Sequence, residues 1–169
     1  GDGLDQVRQT HEGTQRVSDS LLTGRGAAQL VSIEQAFLTG SLFDDFIDAS
    51  QFTGDVTVVA GDGDDQVYGG GGNDDLHGGE GDDVIRGGAG NDNLSGDSGA
   101  DRLLGQAGDD VLRGGSRDDI LEGGAGNDEL RGEDGFDQLY GGTGDDDLDG
   151  GAGDDRLQGE EGDDILSGG

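Results

Sequence analysis

From Ala60 to Ser167 the chain divides into twelve consecutive nonapeptides with no insertion or deletion. A period that strict has to be read before any secondary structure. The sixth position sets the phase, because it is Asp in every unit: Asp65, Asp74, Asp83, Asp92, Asp101, Asp110, Asp119, Asp128, Asp137, Asp146, Asp155 and Asp164. The eighth position is always aliphatic, from Val67, Leu76 and Ile85 to Leu157 and Leu166. Gly fills the first and fourth positions in eleven units each and the second in eight, so the unit reads Gly-Gly-x-Gly-x-Asp-x-aliphatic-x.

One such unit has a single apolar side chain and cannot bury it alone. Positions seven to nine predict a three-residue strand with its middle side chain inward and its neighbours outward. The seventh position carries Gln66, Asp75, Asn93, Arg102 and Glu129 among others, which suits a solvated face. The other six residues predict a turn, in which Gly reaches positive φ and brings carbonyls close to one point. Two units make a coil of strand, turn, strand, turn, and stacked coils lay the aliphatic residues in two inner ladders. The expected fold class is all-β, a parallel β-solenoid with two nonapeptides per coil. Six coils, each one inter-strand distance apart, would stack to roughly 30 Å.

The chain has 40 acidic residues against nine basic ones, a formal net charge of −31. That balance excludes nucleic acid and anionic membrane as partners and makes cations the expected ones. With no Cys there are neither disulfides nor thiolate metal sites, with no Pro there is no collagen, and no run of 18 apolar residues predicts a transmembrane helix. In a turn, an Asp carboxylate and several backbone carbonyls are all hard oxygen donors, the set that Ca²⁺ prefers. Turns on one side of the solenoid are eighteen residues apart, which predicts two Asp columns, Asp65 to Asp155 and Asp74 to Asp164. Carboxylates stacked at strand spacing repel, so a cation is expected between successive turns. Five gaps in each column give about ten Ca²⁺, which would reduce −31 to about −11.

The runs Gly78-Gly79-Glu80-Gly81-Asp82-Asp83-Val84-Ile85-Arg86 and Gly87-Gly88-Ala89-Gly90-Asn91-Asp92-Asn93-Leu94-Ser95 resemble the haemolysin-type calcium-binding repeat of RTX proteins, over 108 residues. The resemblance implies a right-handed parallel β-roll with Ca²⁺ held between turns. The implied ligands are the twelve sixth-position Asp carboxylates and turn carbonyls at Gly70, Gly72, Gly79, Gly81, Gly88, Gly90, Gly124, Gly126, Gly142 and Gly144. It further implies a non-enzymatic, calcium-driven folding and secretion module of a larger secreted bacterial toxin, enzyme or adhesin, passing a type I secretion channel in transit. The alternative is an adhesive or ligand-binding solenoid face, for polysaccharide or ice. Thr143 is the array's only Thr, which does not suit ice.

Residues 60–169 are the expected twelve-unit array and residues 1–59 a degenerate, capping β region, since Gly numbers 33 in the first and 7 in the second. Gly1-Asp2-Gly3-Leu4-Asp5-Gln6-Val7 parallels Gly61 to Val67, and Gly40 to Asp48 fits the unit with Phe43 at its fourth position. The runs Leu30 to Ile33 and Val56 to Val59, with Phe37, Phe46 and Phe52, suggest wider coils that continue the ladder. His11 and His77 lie in no zinc motif, neighbouring acids such as Asp154-Asp155 recur too regularly for a glycosidase pair, and an EF-hand would need flanking helices. Tyr68, Tyr140 and Phe136 read as surface residues rather than a sugar platform. At Gly168-Gly169 a thirteenth unit opens, so the last coil is expected to fray or to associate end to end.

Overall fold

The computed structural model describes residues 6–10, 15–18 and 35–169. Among these residues it has seventeen strands and no helix. The N-terminal strands are β1 (Gln6–Thr10), β2 (Gln15–Ser18), β3 (Gln35–Thr39), β4 (Phe46–Gln51) and β5 (Asp55–Asp62). The array supplies β6 (Gln66–Gly71), β7 (Asp75–Glu80), β8 (Val84–Ala89), β9 (Asn93–Ser98), β10 (Arg102–Ala107) and β11 (Val111–Ser116). It continues with β12 (Ile120–Ala125), β13 (Glu129–Asp134), β14 (Gln138–Thr143), β15 (Asp147–Ala152), β16 (Arg156–Glu161) and β17 (Ile165–Ser167). Odd-numbered strands form a nine-stranded sheet and even-numbered strands an eight-stranded one, each in sequence order and parallel throughout. This is the expected solenoid, with one strand of each coil in each sheet.

Register follows the eighteen-residue coil. Leu76 pairs with Leu94 and Leu94 with Leu112 in one sheet, while Ile85 pairs with Leu103 and Leu103 with Leu121 in the other. The two aliphatic ladders face each other and are fully buried from Val67 to Leu148. Leu157 is partly buried and Leu166, in the last coil, is 48% exposed. Stacked at strand spacing, each Leu covers the next, so the core is as long as the array and only two side chains wide.

The strands are longer than expected. A three-residue strand and a six-residue turn are replaced by a six-residue strand, positions seven to nine and then one to three of the next unit, and a three-residue turn. The reason lies at position two, where Gly79 has φ 123° and Gly88 has φ 124°. This is the mirror image of an extended conformation, so the chain bends there without leaving the ladder, and Gly70 still pairs with Gly88.

Val56 to Val59 lie in β5, which spans both sides of Ala60 and pairs with β3 and β7. Residues 51–59 stand one coil below residues 69–77, with Val56 where the sixth-position Asp would be and Val58 buried in the ladder. Gly40 to Asp48 form a further unit whose partner lies twenty residues on, Ile47 against Val67, because Ala49 and Ser50 are extra. Phe52 fills the coil widened by that insertion and is fully buried. Phe37 stays at the surface and Phe46 is half-buried, edge-on to Tyr68. The expectations for Gly1 to Asp5, His11 and Leu30 to Ile33 lie outside the described residues.

Candidate metal centre

Each sixth-position Asp follows a turn and precedes a strand, which holds its side chain inside the turn rather than in solvent. Its two carboxylate oxygens have different fates. The backbone N–H of Asp65 donates to Oδ1 of Asp83, one coil later, at 2.8 Å, and the N–H of Asp74 donates likewise to Asp92. The same bond recurs up both columns to Asp137 with Asp155 and Asp146 with Asp164, always at 2.8 to 3.0 Å. With one N–H available per Asp, Oδ2 receives nothing. From Asp65 to Asp155, eleven Oδ2 atoms are buried with no hydrogen-bond partner. Buried polar atoms are normally paired, and a column of unpaired carboxylate oxygens implies a partner of another kind.

Position one stands directly against Oδ2. A Cβ on Gly96 would collide with Oδ2 of Asp101 and stand 2.7 Å from the carbonyl oxygen of Gly114 in the next coil. The same pair of oxygens closes on Gly105, Gly123 and Gly141, at 2.7 Å from the next coil's carbonyl in each case. Position one is thus Gly for room, its φ being ordinary, and it opens a cradle between a carboxylate and a carbonyl. The ten glycines at positions two and four, Gly70 to Gly144, all have positive φ, and a Cβ on Gly81 or Gly90 would strike the same-position carbonyl one coil back. Cross-coil backbone bonds within the array engage the carbonyls of positions three and six, as in Gly81 N–H to Ser98 and Val84 N–H to Asp65, and leave those of position four out.

Among the described residues no three acidic or imidazole side chains gather around one point. The donors on offer are therefore one carboxylate oxygen per turn and backbone carbonyls from two coils, all hard oxygen, which suits Ca²⁺ and not a softer metal. Electrostatics point the same way. Burial lifts the carboxyl pKa of Asp74, Asp83, Asp110 and Asp119 from the ordinary 3.8 to about 7, and that of Asp65, Asp92, Asp101 and Asp128 to about 6. The cross-coil N–H opposes this, and neighbouring carboxylates in the column reinforce it. Without a cation the turns make ionised carboxyls costlier than in solvent; a divalent ion in the turn would oppose that shift.

A second ladder, at position five, runs the other way. The N–H of Asp82 donates to Oδ1 of Asp64 one coil earlier, Asn91 to Asn73, and Asp145 to Asn127, at 2.9 to 3.0 Å. Position five is Asp or Asn in ten of twelve units, a signal the bare repeat formula passes over. The exceptions, Ala100 and Phe136, interrupt the ladder on one side of the solenoid only. At the N-terminal end Asp45 joins the sixth-position column, its N–H bonded to Oδ1 of Asp65, but its Oδ2 accepts the Ser41 N–H at 2.6 Å.

The family model described as the RTX calcium-binding nonapeptide repeat (4 copies) matches residues 53–76, 68–103, 77–112, 104–139 and 140–169. No curated protein matches the chain.

Proposed function

Because the chain belongs to the family of RTX calcium-binding nonapeptide repeats, we propose that it is a calcium-driven folding module of a larger secreted bacterial protein, structural rather than catalytic. The observation that carries this reading is the set of eleven buried, unpartnered Oδ2 atoms. In the proposal, residues 60–169 are the calcium-binding array and residues 1–59 its N-terminal cap. Asp65 to Asp164 supply carboxylate oxygens and the turn glycines supply carbonyls, with about ten ions, one between each pair of successive turns in the two columns.

The mechanism is linkage between binding and folding. Each gap needs two coils, so the unfolded chain offers no site, and binding energy appears only as stability of the coiled state. Extracellular modules bind Ca²⁺ with dissociation constants of about 10⁻⁴ to 10⁻³ M, so the chain stays extended in a cytosol and coils outside. That order suits transit through a type I secretion channel. A circular dichroism titration tests the reading: β signal should be lost in excess chelator at neutral pH and restored cooperatively by Ca²⁺ but not by Mg²⁺. Full β signal in chelator would overturn it.

A further inference from the structure

The two faces of the solenoid differ in charge. On strands β6, β8, β10, β12 and β14 the outward positions seven, nine and two hold no Asp, and their only charges are Arg86, Arg102 and Glu122. On the opposing β7, β9, β11, β13 and β15 the same positions hold six acids against Arg113 and Arg131. In a chain of net charge −31, one ordered face is close to neutral. Its position-three column is small as well: Gly71, Ala89, Ala107, Ala125 and Thr143.

Two furrows open on this face, and the same short motif builds both. Gln66-Val67-Tyr68-Gly69-Gly70 lies in β6 and Gln138-Leu139-Tyr140-Gly141-Gly142 in β14. In each, the Tyr hydroxyl reaches back to the Gln side chain, at 3.5 and 3.2 Å. The first furrow, of about 430 Å³, is bordered by Tyr68, Arg86 and Gln106, and the second, of about 330 Å³, by Tyr140, Glu122 and Glu160; glycines floor both. Gln106 and Glu160 stand at position two with φ 82° and 75°, where the array otherwise favours Gly, and each borders its furrow. Tyr68 is held edge-on by Phe46, centroids 5.4 Å apart, and lies under the Arg86 guanidinium at 4.8 Å.

Against the sequence reading of both tyrosines as plain surface residues, we propose that this face binds an extended, uncharged polysaccharide, with sugar subsites at Tyr68 and Tyr140. Tyr140 and the face of Tyr68 that Arg86 does not cover give apolar platforms at low entropic cost, and the flanking Gln, Glu and Arg side chains and glycine backbone offer both donors and acceptors to hydroxyls. The two tyrosines share one column, four strands apart, so a linear chain along the solenoid axis meets both, about 19 Å from one to the other. Arg86 at one furrow and Glu122 and Glu160 at the other favour no single charge along that path, which is why the ligand is an uncharged one. The inference depends on the β-sheet face and not on the ion count.

The test is a glycan array of uncharged and anionic polysaccharides probed with the whole chain in saturating Ca²⁺, followed by calorimetry with the oligosaccharide of the best hit. Tyr68→Ala and Tyr140→Ala should each weaken binding by about fivefold or more and together abolish it, with circular dichroism unchanged. His77→Ala, on the acidic face, should leave binding intact. No hit above the double Tyr variant, hits confined to anionic glycans, or equal loss in His77→Ala would each overturn the proposal. Failure of the calcium reading would show separately, as a chain that folds in chelator.

Discussion

Replacing Asp110 with Asn keeps the shape of the side chain and keeps Oδ1 as acceptor for the Asp92 N–H, while the unpartnered Oδ2 becomes an NH₂ beside the Gly123 carbonyl. The effect should change sign with calcium. In chelator the wild-type carboxyl titrates near 7 in the folded state against an ordinary 3.8, which at about 1.36 kcal/mol per pH unit makes its ionised form cost up to about 4 kcal/mol at neutral pH. Asn removes that cost, so the metal-free fold should gain on the order of 2–4 kcal/mol. In saturating Ca²⁺ the same change removes what the proposal makes a charged ligand, and the calcium midpoint should rise by about tenfold or more, roughly 1.4 kcal/mol. Circular dichroism can follow both arms, the metal-free arm by folding with trimethylamine N-oxide at pH 7.5 and the other by calcium titration. The same sign in both arms would refute the account of Oδ2 as an ion ligand whose charge is otherwise unpaid.

The raised pKa values predict acid-induced order in chelator: between about pH 4 and pH 7 the folded state holds more protons than the unfolded one, so β signal should grow as pH falls and vanish above the folded values. A flat pH profile in chelator would count against this. Arg117 sits at a fourth position with φ 82°, so Arg117→Gly should stabilise the calcium-bound chain by about 1 kcal/mol in urea unfolding, whereas destabilisation would mean that its contact with Asp82 matters more. Gly96→Ala should cost about 2 kcal/mol or more because its Cβ meets both the Asp101 carboxylate and the Gly114 carbonyl; unchanged urea unfolding would remove the cradle from the argument. Leu112→Ala, in the middle of a buried ladder, should cost about 2–5 kcal/mol, and Leu166→Ala, half exposed, far less; equal costs would argue against a core that thins at its last coil.

Much of the fold was legible because each unit repeats one rule. Asp at every sixth position and an aliphatic residue at every eighth, read with an eighteen-residue coil, predict both inner ladders and both carboxylate columns, and the strands carry them. What could not be read is where local geometry departs from that rule. The strand's passage through position two takes a positive φ, at Gly79 and most of its equivalents in a mirrored extended conformation, which propensity reads as a turn. The division of labour between Oδ1 and Oδ2 depends on a cross-coil N–H, and the role of Gly96 depends on a carbonyl eighteen residues away, so neither shows in one unit. The unit at residues 51–59 was hidden by Val56 in place of Asp, although its ladder residue Val58 kept the phase.

Since one nonapeptide supplies one strand and consecutive strands alternate between sheets, the face on which a residue lies is decided by the parity of its unit. Deleting a single unit between Tyr68 and Tyr140 would leave the glycines, carboxylates and ladder residues of the remaining units in register, yet carry Tyr140 to the acidic side. Deleting two would leave the faces as they are and only bring the tyrosines one coil closer. A chain of this kind can lengthen or shorten its carboxylate columns freely, but it can keep a pattern written on its surface only by changing in steps of eighteen residues.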